Sequence, residues 1–302
     1  MEILNCVPQV QVPGLSTQGE ALHRMYEKVY LGYPQAVREE DPEGGQKMTY
    51  IYKPKGRALE YSPLALNIYT GCDHGCTYCY NRFRFPIDDP RLRNINMVSF
   101  REELAKENYD EQVLLSFVGD PYCHAEMKLE ATKMVLVHLL NYNVKVAILT
   151  KGGCRALRDL KLFKSFGLRI KVGATLTFLD DDKAKDFEPN SAPPSERIAM
   201  LKTLSEHNIR TFVSIEPVLD PNESLAVMKK VIPWVDEFRV GKLNHDHARE
   251  AQIDWPDFAR KAKSLLMQVD SHKIIYFKRD LRETMGDLEI PAHWTDMKMG
   301  CL

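Results

Sequence analysis

Asn67-Ile68-Tyr69-Thr70-Gly71-Cys72-Asp73-His74-Gly75-Cys76-Thr77-Tyr78-Cys79-Tyr80 is the stretch that decides how this chain is read. Cys72, Cys76 and Cys79 fall within eight positions, spaced C-x3-C-x2-C. The apolar run from Leu64 to Tyr69 predicts a short buried strand that delivers them. Gly71 and Gly75 permit tight turns, so three sulfurs can be brought to one point. Three convergent thiolates suit an iron–sulfur cluster, and in a four-iron cube they leave one iron open to a small molecule. A structural zinc site usually wants four ligands. His74 is the nearest candidate for the fourth, and no second C-x2-C occurs elsewhere. A disulfide within the trio would leave an odd thiol.

The 302 residues allow one large domain or two small ones, with a sizeable core. Hydrophobic residues at 44% and charged residues at 27% describe a soluble globular chain. No apolar run approaches the roughly 20 residues that span a bilayer, and no signal-peptide pattern opens the chain. Seven cysteines, an odd number with three clustered, fit a reducing compartment better than a disulfide framework. The expectation is a cytoplasmic protein with no membrane partner. A net charge of −1 gives no global basic field for nucleic acid, leaving room only for a local patch.

Outside the cysteine stretch, residues 1–60 carry little periodic signal. A short helix is predicted over 19–30 and an acidic, Gly-rich loop over 38–46. Lys53, Lys55 and Arg57 read as a solvated lead-in to the first strand. After residue 60 a rhythm appears. Strands are predicted at 64–69, 112–118, 144–149, 169–177, 210–215 and 235–240, and a further one at 272–277. Helical patterns fall at 77–83, 125–141, 155–165, 195–207, 222–232 and 254–268. Such alternation predicts an α/β fold of βαβ units on a parallel sheet. Six units are too few for a closed eight-fold barrel.

In barrels of this kind chemistry sits at the C-terminal ends of strands. Those ends read Gly119-Asp120-Pro121-Tyr122, Thr150-Lys151-Gly152-Gly153, Thr175 to Thr177, Glu216-Pro217 and Gly241-Lys242-Leu243-Asn244. Polar and charged groups would therefore converge on one mouth.

The cysteine spacing with Tyr78 resembles the C-x3-C-x-aromatic-C motif of radical S-adenosylmethionine (SAM) enzymes. Gly71 to Tyr80 is similar to the G-C-x-H-G-C-x-Y-C-Y signature of their spore photoproduct lyase-like branch, often labelled DNA repair photolyase. Gly119-Asp120-Pro121-Tyr122 with Glu126 resembles that branch's T-D-P-Y-x-x-x-E segment, with Gly119 where Thr is usual. Leu149-Thr150-Lys151, Asp180, Glu188-Pro189 and Pro194-Ser195-Glu196-Arg197 resemble further segments, so the likeness covers about residues 60–245. The resemblance implies an open, partial (β/α)6 TIM-type barrel. It divides the chain into an N-terminal extension (1–60), a radical SAM core (61–245) and a C-terminal extension (246–302) that completes or caps the barrel.

It also implies cofactors and roles. Cys72, Cys76 and Cys79 would hold a [4Fe–4S] cluster whose open iron chelates SAM. Gly119 and Asp120 would receive the SAM ammonium, and Lys151 and Arg197 its carboxylate. Thr177 would bond a ribose hydroxyl, Tyr78 would lie against the adenine, and the chain around Glu216 would meet the adenine edge. Cys123 would be a hydrogen donor. An electron donor of the flavodoxin or ferredoxin type would reduce the cluster. SAM would then break to a 5′-deoxyadenosyl radical that abstracts hydrogen from substrate. The expected substrate is a nucleobase or nucleotide, free or in DNA, with Arg82 to Phe85, Arg91 and Arg93 as a stacking and phosphate-contacting surface. A peptide or small metabolite, or a non-catalytic iron–sulfur or zinc module, are the alternatives.

Overall fold

A computed structural model describes residues 49–83, 90–115, 117–244, 246–269 and 271–302. The expected helix over 19–30, the loop over 38–46 and most of the Arg82–Phe85 surface lie outside the described residues. In chain order the strands are β1 (Leu64–Leu66), β2 (Tyr69–Thr70), β3 (Arg91–Leu92), β4 (Val113–Leu115) and β5 (Val146–Thr150). They continue as β6 (Ile170–Thr175), β7 (Arg210–Ile215), β8 (Glu237–Val240) and β9 (Ile274–Phe277). Seven of them form one sheet in the order β1-β4-β5-β6-β7-β8-β9, every neighbour pair parallel. The six predicted core strands and the seventh near 272–277 are all present. β9 extends the sheet by pairing Glu237 to Val240 with Ile274 to Phe277.

The first strand is shorter than its apolar run. It stops at Leu66 because the Asn67 side chain accepts hydrogen bonds from the Phe117 and Val118 amides (2.7 and 3.2 Å). The chain then turns into β2, which pairs antiparallel with β3. The 125–141 helix is two helices, Glu126–Leu129 and Ala131–Asn141, parted where Glu130 adopts φ 49°. The 77–83 pattern is only a 3-10 turn, Tyr80–Phe83. Two helices without strong periodicity, Met97–Lys106 and Asp181–Phe187, form behind caps in which Asn96 and Asp180 accept from the first-turn amides.

Register sorts the side chains onto two faces. The outer face puts Val146, Ile148, Val172, Ala174, Val213, Ile215, Phe238 and Val240 into the main core with the helices. The inner face is different. Tyr61, Leu114, Ala147 and Phe212 make a small separate apolar cluster there. Further along the same face lie fully buried Lys171, Glu237 and Arg239. Lys171 donates to Glu237 Oε2 and to the Gly300 carbonyl, both at 2.7 Å, and Arg239 donates to Glu237 and the Glu60 carbonyl. The inside of this sheet is thus closed by paired charge at one end and left to polar strand ends at the other. No helix among the described residues is long and apolar enough to cross a membrane.

Gly173 marks how tightly β6 and β7 pack on the inner face. A Cβ there would stand 2.5 Å from the Phe212 carbonyl and 2.6 Å from its ring. Gly173→Ala is expected to cost about 1–3 kcal/mol in urea unfolding. A loss below about 0.5 kcal/mol, the scale of an ordinary surface change, would mean that the ring simply moves aside.

Candidate active site

The cysteine loop leaves β2 through Gly71 (φ 81°) and turns again at Gly75 (φ 69°), the two positions where the sequence asks for a glycine. Its path is fixed by ties to distant segments. Gly71 N donates to the Val118 carbonyl, Thr77 N to Phe187, and Asn190 N to the His74 carbonyl. The Asp73 carboxylate accepts from the His124 and Ala125 amides (3.2 and 3.3 Å). Gly119 lets the loop come close, since a Cβ there would lie 2.7 Å from the Gly71 carbonyl.

His74 is buried and both ring nitrogens are engaged. Arg155 has only hydrogens to give, so Nε2 accepts from it (2.8 Å) and the ring proton sits on Nδ1, 3.6 Å from Asp120 Oδ2. Burial pushes the imidazole down to about 4 against the pull of Asp120, so it is neutral at pH 7. Cys72, Asp73 and His74 place ligand atoms within 4.8 Å of one another. Asp73 and His74 both have protein partners, Asp73 in the two amides and His74 in Arg155 and Asp120.

The three cysteines open onto a cavity of about 630 Å³ at the C-terminal ends of the strands. Cys72, Cys76 and Cys79 share one side with Tyr78, Gly119, Asp120 and Lys151. Burial raises the Cys72 thiol well above its usual value and raises Cys76 as well. Lys151 lies with Nζ 5.3 Å from the Tyr78 ring centre. Burial works against its charge, but Cys76 and Glu188 outweigh it and hold the ammonium.

Several residues singled out from the sequence stand elsewhere. Arg197 is 0% exposed and spends its guanidinium inside the protein. It donates to Glu188, to the Thr175 carbonyl (2.9 Å) and to the Ala192 carbonyl (2.6 Å). Thr177 is also sealed, its hydroxyl donating to Glu188 Oε1 at 3.2 Å, and Thr175 takes its place on the cavity wall. Neither Arg197 nor Thr177 reaches the cavity. Cys123 is 0% exposed, packs in the main core and forms no part of the wall. Asp120 does reach it, but its carboxylate faces inward. Oδ1 accepts from Thr150 and the Tyr122 amide (2.6 and 2.8 Å), and Oδ2 from the Lys151 amide (2.7 Å). Tyr78 donates its hydroxyl to Glu188.

The rest of the wall comes largely from residues the sequence did not mark. Tyr61, Ser214 and Lys278 join Glu216 there, with Lys242 and Asn244 beside them. Tyr61 donates to Glu216 Oε2 (2.6 Å) and is 2.7 Å from Ser214 Oγ. Lys278 donates to the same Glu216 oxygen at 2.6 Å and lies 4.6 Å over the Tyr61 ring. Lys55 and Arg57, read as a solvated lead-in, stand at the cavity mouth. Only the tertiary fold unites these groups; the polar strand ends at Glu216 and Lys242 were the single signal.

A radical SAM superfamily profile matches residues 66–234, more than half of the chain, and the chain belongs to that superfamily. Its cofactors are a [4Fe–4S] cluster and S-adenosylmethionine, and its chemistry is radical cleavage of SAM. The uncharacterized Methanocaldococcus jannaschii protein MJ0683 is 32% identical over 190 residues, which cover 61% of this chain and 72% of that protein. Streptococcus suis SuiB bound to S-adenosylmethionine superimposes with a TM-score of 0.55 at 14% identity. That match covers 75% of this chain and 53% of SuiB, so the chain spans about half of SuiB's length. A spore photoproduct lyase variant gives 0.54 at 11% identity, covering 84% and 80% of the two chains. At these identities the likeness to the solved structures is one of fold.

Breaking the Arg197–Glu188 pair separates a structural Arg from a cofactor-binding one. Arg197→Ala is expected to lower stability by about 3–5 kcal/mol with no SAM present, because it strands a buried carboxylate. Unchanged unfolding of the SAM-free variant would return Arg197 to the list of SAM ligands.

Proposed function

We propose that this chain is a radical SAM enzyme that abstracts hydrogen from a nucleobase or nucleotide unit, with Cys72, Cys76 and Cys79 holding the cluster. The donor set supports the cluster. Three thiols from one glycine-turned loop share the wall of one cavity, and His74, the candidate fourth ligand, is held by Arg155 and faces Asp120. Buried thiols that resist ionisation alone require a cationic centre to become thiolates. Three protein ligands suit a cluster with one open iron better than closed four-coordinate zinc.

When bound, the cluster and SAM together supply a carbon-centred radical able to take hydrogen from an unactivated C–H. The protein's own work is placement. Lys151 offers a cation for the SAM carboxylate on the cysteine side of the cavity. Tyr78, held by Glu188, presents its ring there. Asp120 acts through position, binding the ends of β4 and β5 into one rim. Arg197 and Thr177 act at one remove, by fixing Glu188. Closing reactants together in a shaped site is the main lever such residues have. A one-electron donor of the flavodoxin or ferredoxin type would serve the cluster.

The observation that carries the nucleobase reading is the composition of the wall away from the cysteines. Phe117 offers aromatic surface, edge-on at 6.3 Å to Tyr61, whose own ring is covered by Lys278. Lys55 and Arg57 are exposed and line the same cavity, Arg57 with Asp280 at 3.2 Å, and Lys55 offers a cation to a phosphate. Base stacking with nearby cations is the combination that single nucleotides use. The fold does not choose, since SuiB is known with a precursor peptide and spore photoproduct lyase with a dinucleoside spore photoproduct.

Replacing Cys72, Cys76 and Cys79 together with Ala is expected to remove the brown colour and the bound iron. Retained cluster iron would refute the assignment. Anaerobic protein with dithionite and SAM is expected to yield 5′-deoxyadenosine, and deuterium from a labelled nucleoside or oligonucleotide is expected in that product. Deuterium arriving only from a peptide would replace the nucleobase reading.

A further inference from the structure

The cysteine side of the cavity carries an ammonium without a hydrogen-bond or ion-pair partner among the described residues. It belongs to Lys151, which follows β5 and whose main chain is fixed on both sides. The Lys151 amide donates to Asp120 Oδ2 at 2.7 Å, and its carbonyl accepts from the Ala192 amide at 3.0 Å. The side chain is not tied in this way. Its Nζ lies 5.3 Å from the Tyr78 ring centre, and it is not among the sealed, unpartnered atoms. Lys151 lines the cavity, so the three hydrogens of its ammonium are available on the wall that Cys72, Cys76 and Cys79 share.

The charges around it leave this cation in surplus. Burial opposes its charge, while Cys76, Glu188 and Cys79 favour it. Glu188 is already engaged by Arg197, Tyr78 and Thr177. Arg197 and Lys151 are thus two cations on one buried carboxylate, and one positive charge is left over beside Cys76 and Cys79. The carboxylates near Cys72 are turned to other groups. Asp120 takes the Thr150 hydroxyl and the Tyr122 and Lys151 amides, and Asp73 takes the His124 and Ala125 amides. The lysines across the cavity are paired, Lys278 with Glu216 and Lys242 with Glu250.

We infer that Lys151 sets how readily the cluster takes its electron, and that SAM withdraws this help when it binds. The inference rests on the cluster and SAM-carboxylate readings above. Net charge and hydrogen bonds to the sulfurs are among the factors that set the reduction potential of an iron–sulfur cluster. With the cavity empty, the Lys151 cation stabilises the form that holds one more electron, so reduction is easier. That electron comes from the one-electron donor, and no bond forms or breaks in the step. SAM brings a carboxylate, and Lys151 turns to it. The same positive charge is then neutralised, and an electron already loaded is held less tightly. Lys151 thus favours loading before SAM arrives and release of the electron afterwards.

A redox titration followed by electron paramagnetic resonance reads this on the anaerobic, cluster-loaded protein. It is run without ligand and with saturating S-adenosylhomocysteine, which has the same carboxylate and no sulfonium to cleave. In the ligand-free protein Lys151→Gln and Lys151→Met are each expected to lower the ratio of reduced to oxidised cluster about 10-fold at a fixed potential, or about 59 mV for one electron. Lys151→Arg keeps the charge and is expected to keep most of the wild-type potential. With S-adenosylhomocysteine bound, the gap between the wild type and the two neutral variants is expected to shrink. Equal ligand-free potentials in the wild type and both neutral variants, at unchanged iron content, would overturn the inference and leave the cluster reading standing. So would an equal drop in Lys151→Arg, which would make shape rather than charge responsible. A gap as wide with S-adenosylhomocysteine as without it would overturn the hand-over to the carboxylate. Loss of the cluster from all three variants would also overturn the inference, since Lys151 would then serve assembly. A wild-type protein that takes up no iron–sulfur cluster would instead bring down the reading on which the inference rests.

Discussion

Glu188 is the group on which the arrangement of the site depends. Its buried carboxylate takes donors from three separate segments: Arg197 on the helix Pro194–Glu206, Tyr78 in the cysteine loop, and Thr177 beyond β6. Burial alone would push its carboxyl up. Arg197 and then Lys151 outweigh that and hold it below the usual carboxylate range. A buried ion pair contributes little net stability, and its removal on one side is costly. Its effect here is geometric, because the loop that carries the cysteines is pinned to the wall that carries Lys151 and Thr175.

The inner face of the sheet repeats this use of paired charge at a second level. Lys171, Glu237 and Arg239 satisfy one another near the Gly300 carbonyl, while Glu216, Tyr61, Ser214 and Lys278 do so at the strand ends. Arg239 sits between the two groups, 5.6 Å from the Tyr61 ring and 5.4 Å from the Tyr276 ring. A barrel interior filled with Leu and Ile would be dry and inert. This one has paired charge and polar strand ends on either side of a small apolar cluster, and among the described residues few of its polar atoms lack a partner; Arg239 Nη2 is one.

Much of the fold was legible because parallel strands buried on both faces read as apolar runs of five or six residues. The strands at Val146–Thr150, Ile170–Thr175 and Arg210–Ile215 fall within about two residues of their predicted places. The cysteine loop was legible because spacing and glycines are local properties. The burial of Arg197, Thr177 and Cys123 was not. A motif preserves residue type, and it does not say whether a side chain points into a cavity or away from it. Arg197 stands on a helix face aimed at Glu188, and Cys123 is sealed in the main core. Tyr61 and Lys278 were invisible for the opposite reason. They come from stretches separated by more than 200 positions, with no shared pattern, and only closure of the sheet brings them together.

The ties of the cysteine loop also set an order in time. Tyr78 reaches Glu188 across 110 positions, and Cys76 meets Ser191 across 115. Contacts of such long range form late, because the chain between them must first be ordered. During synthesis, residues 72–79 emerge well before the segment that fixes them. The three sulfurs are therefore expected to reach their common wall only after β4, β5 and β6 have assembled. Cluster insertion then belongs to a nearly finished protein, and a nascent chain halted before residue 191 would present the thiols without the frame that gathers them.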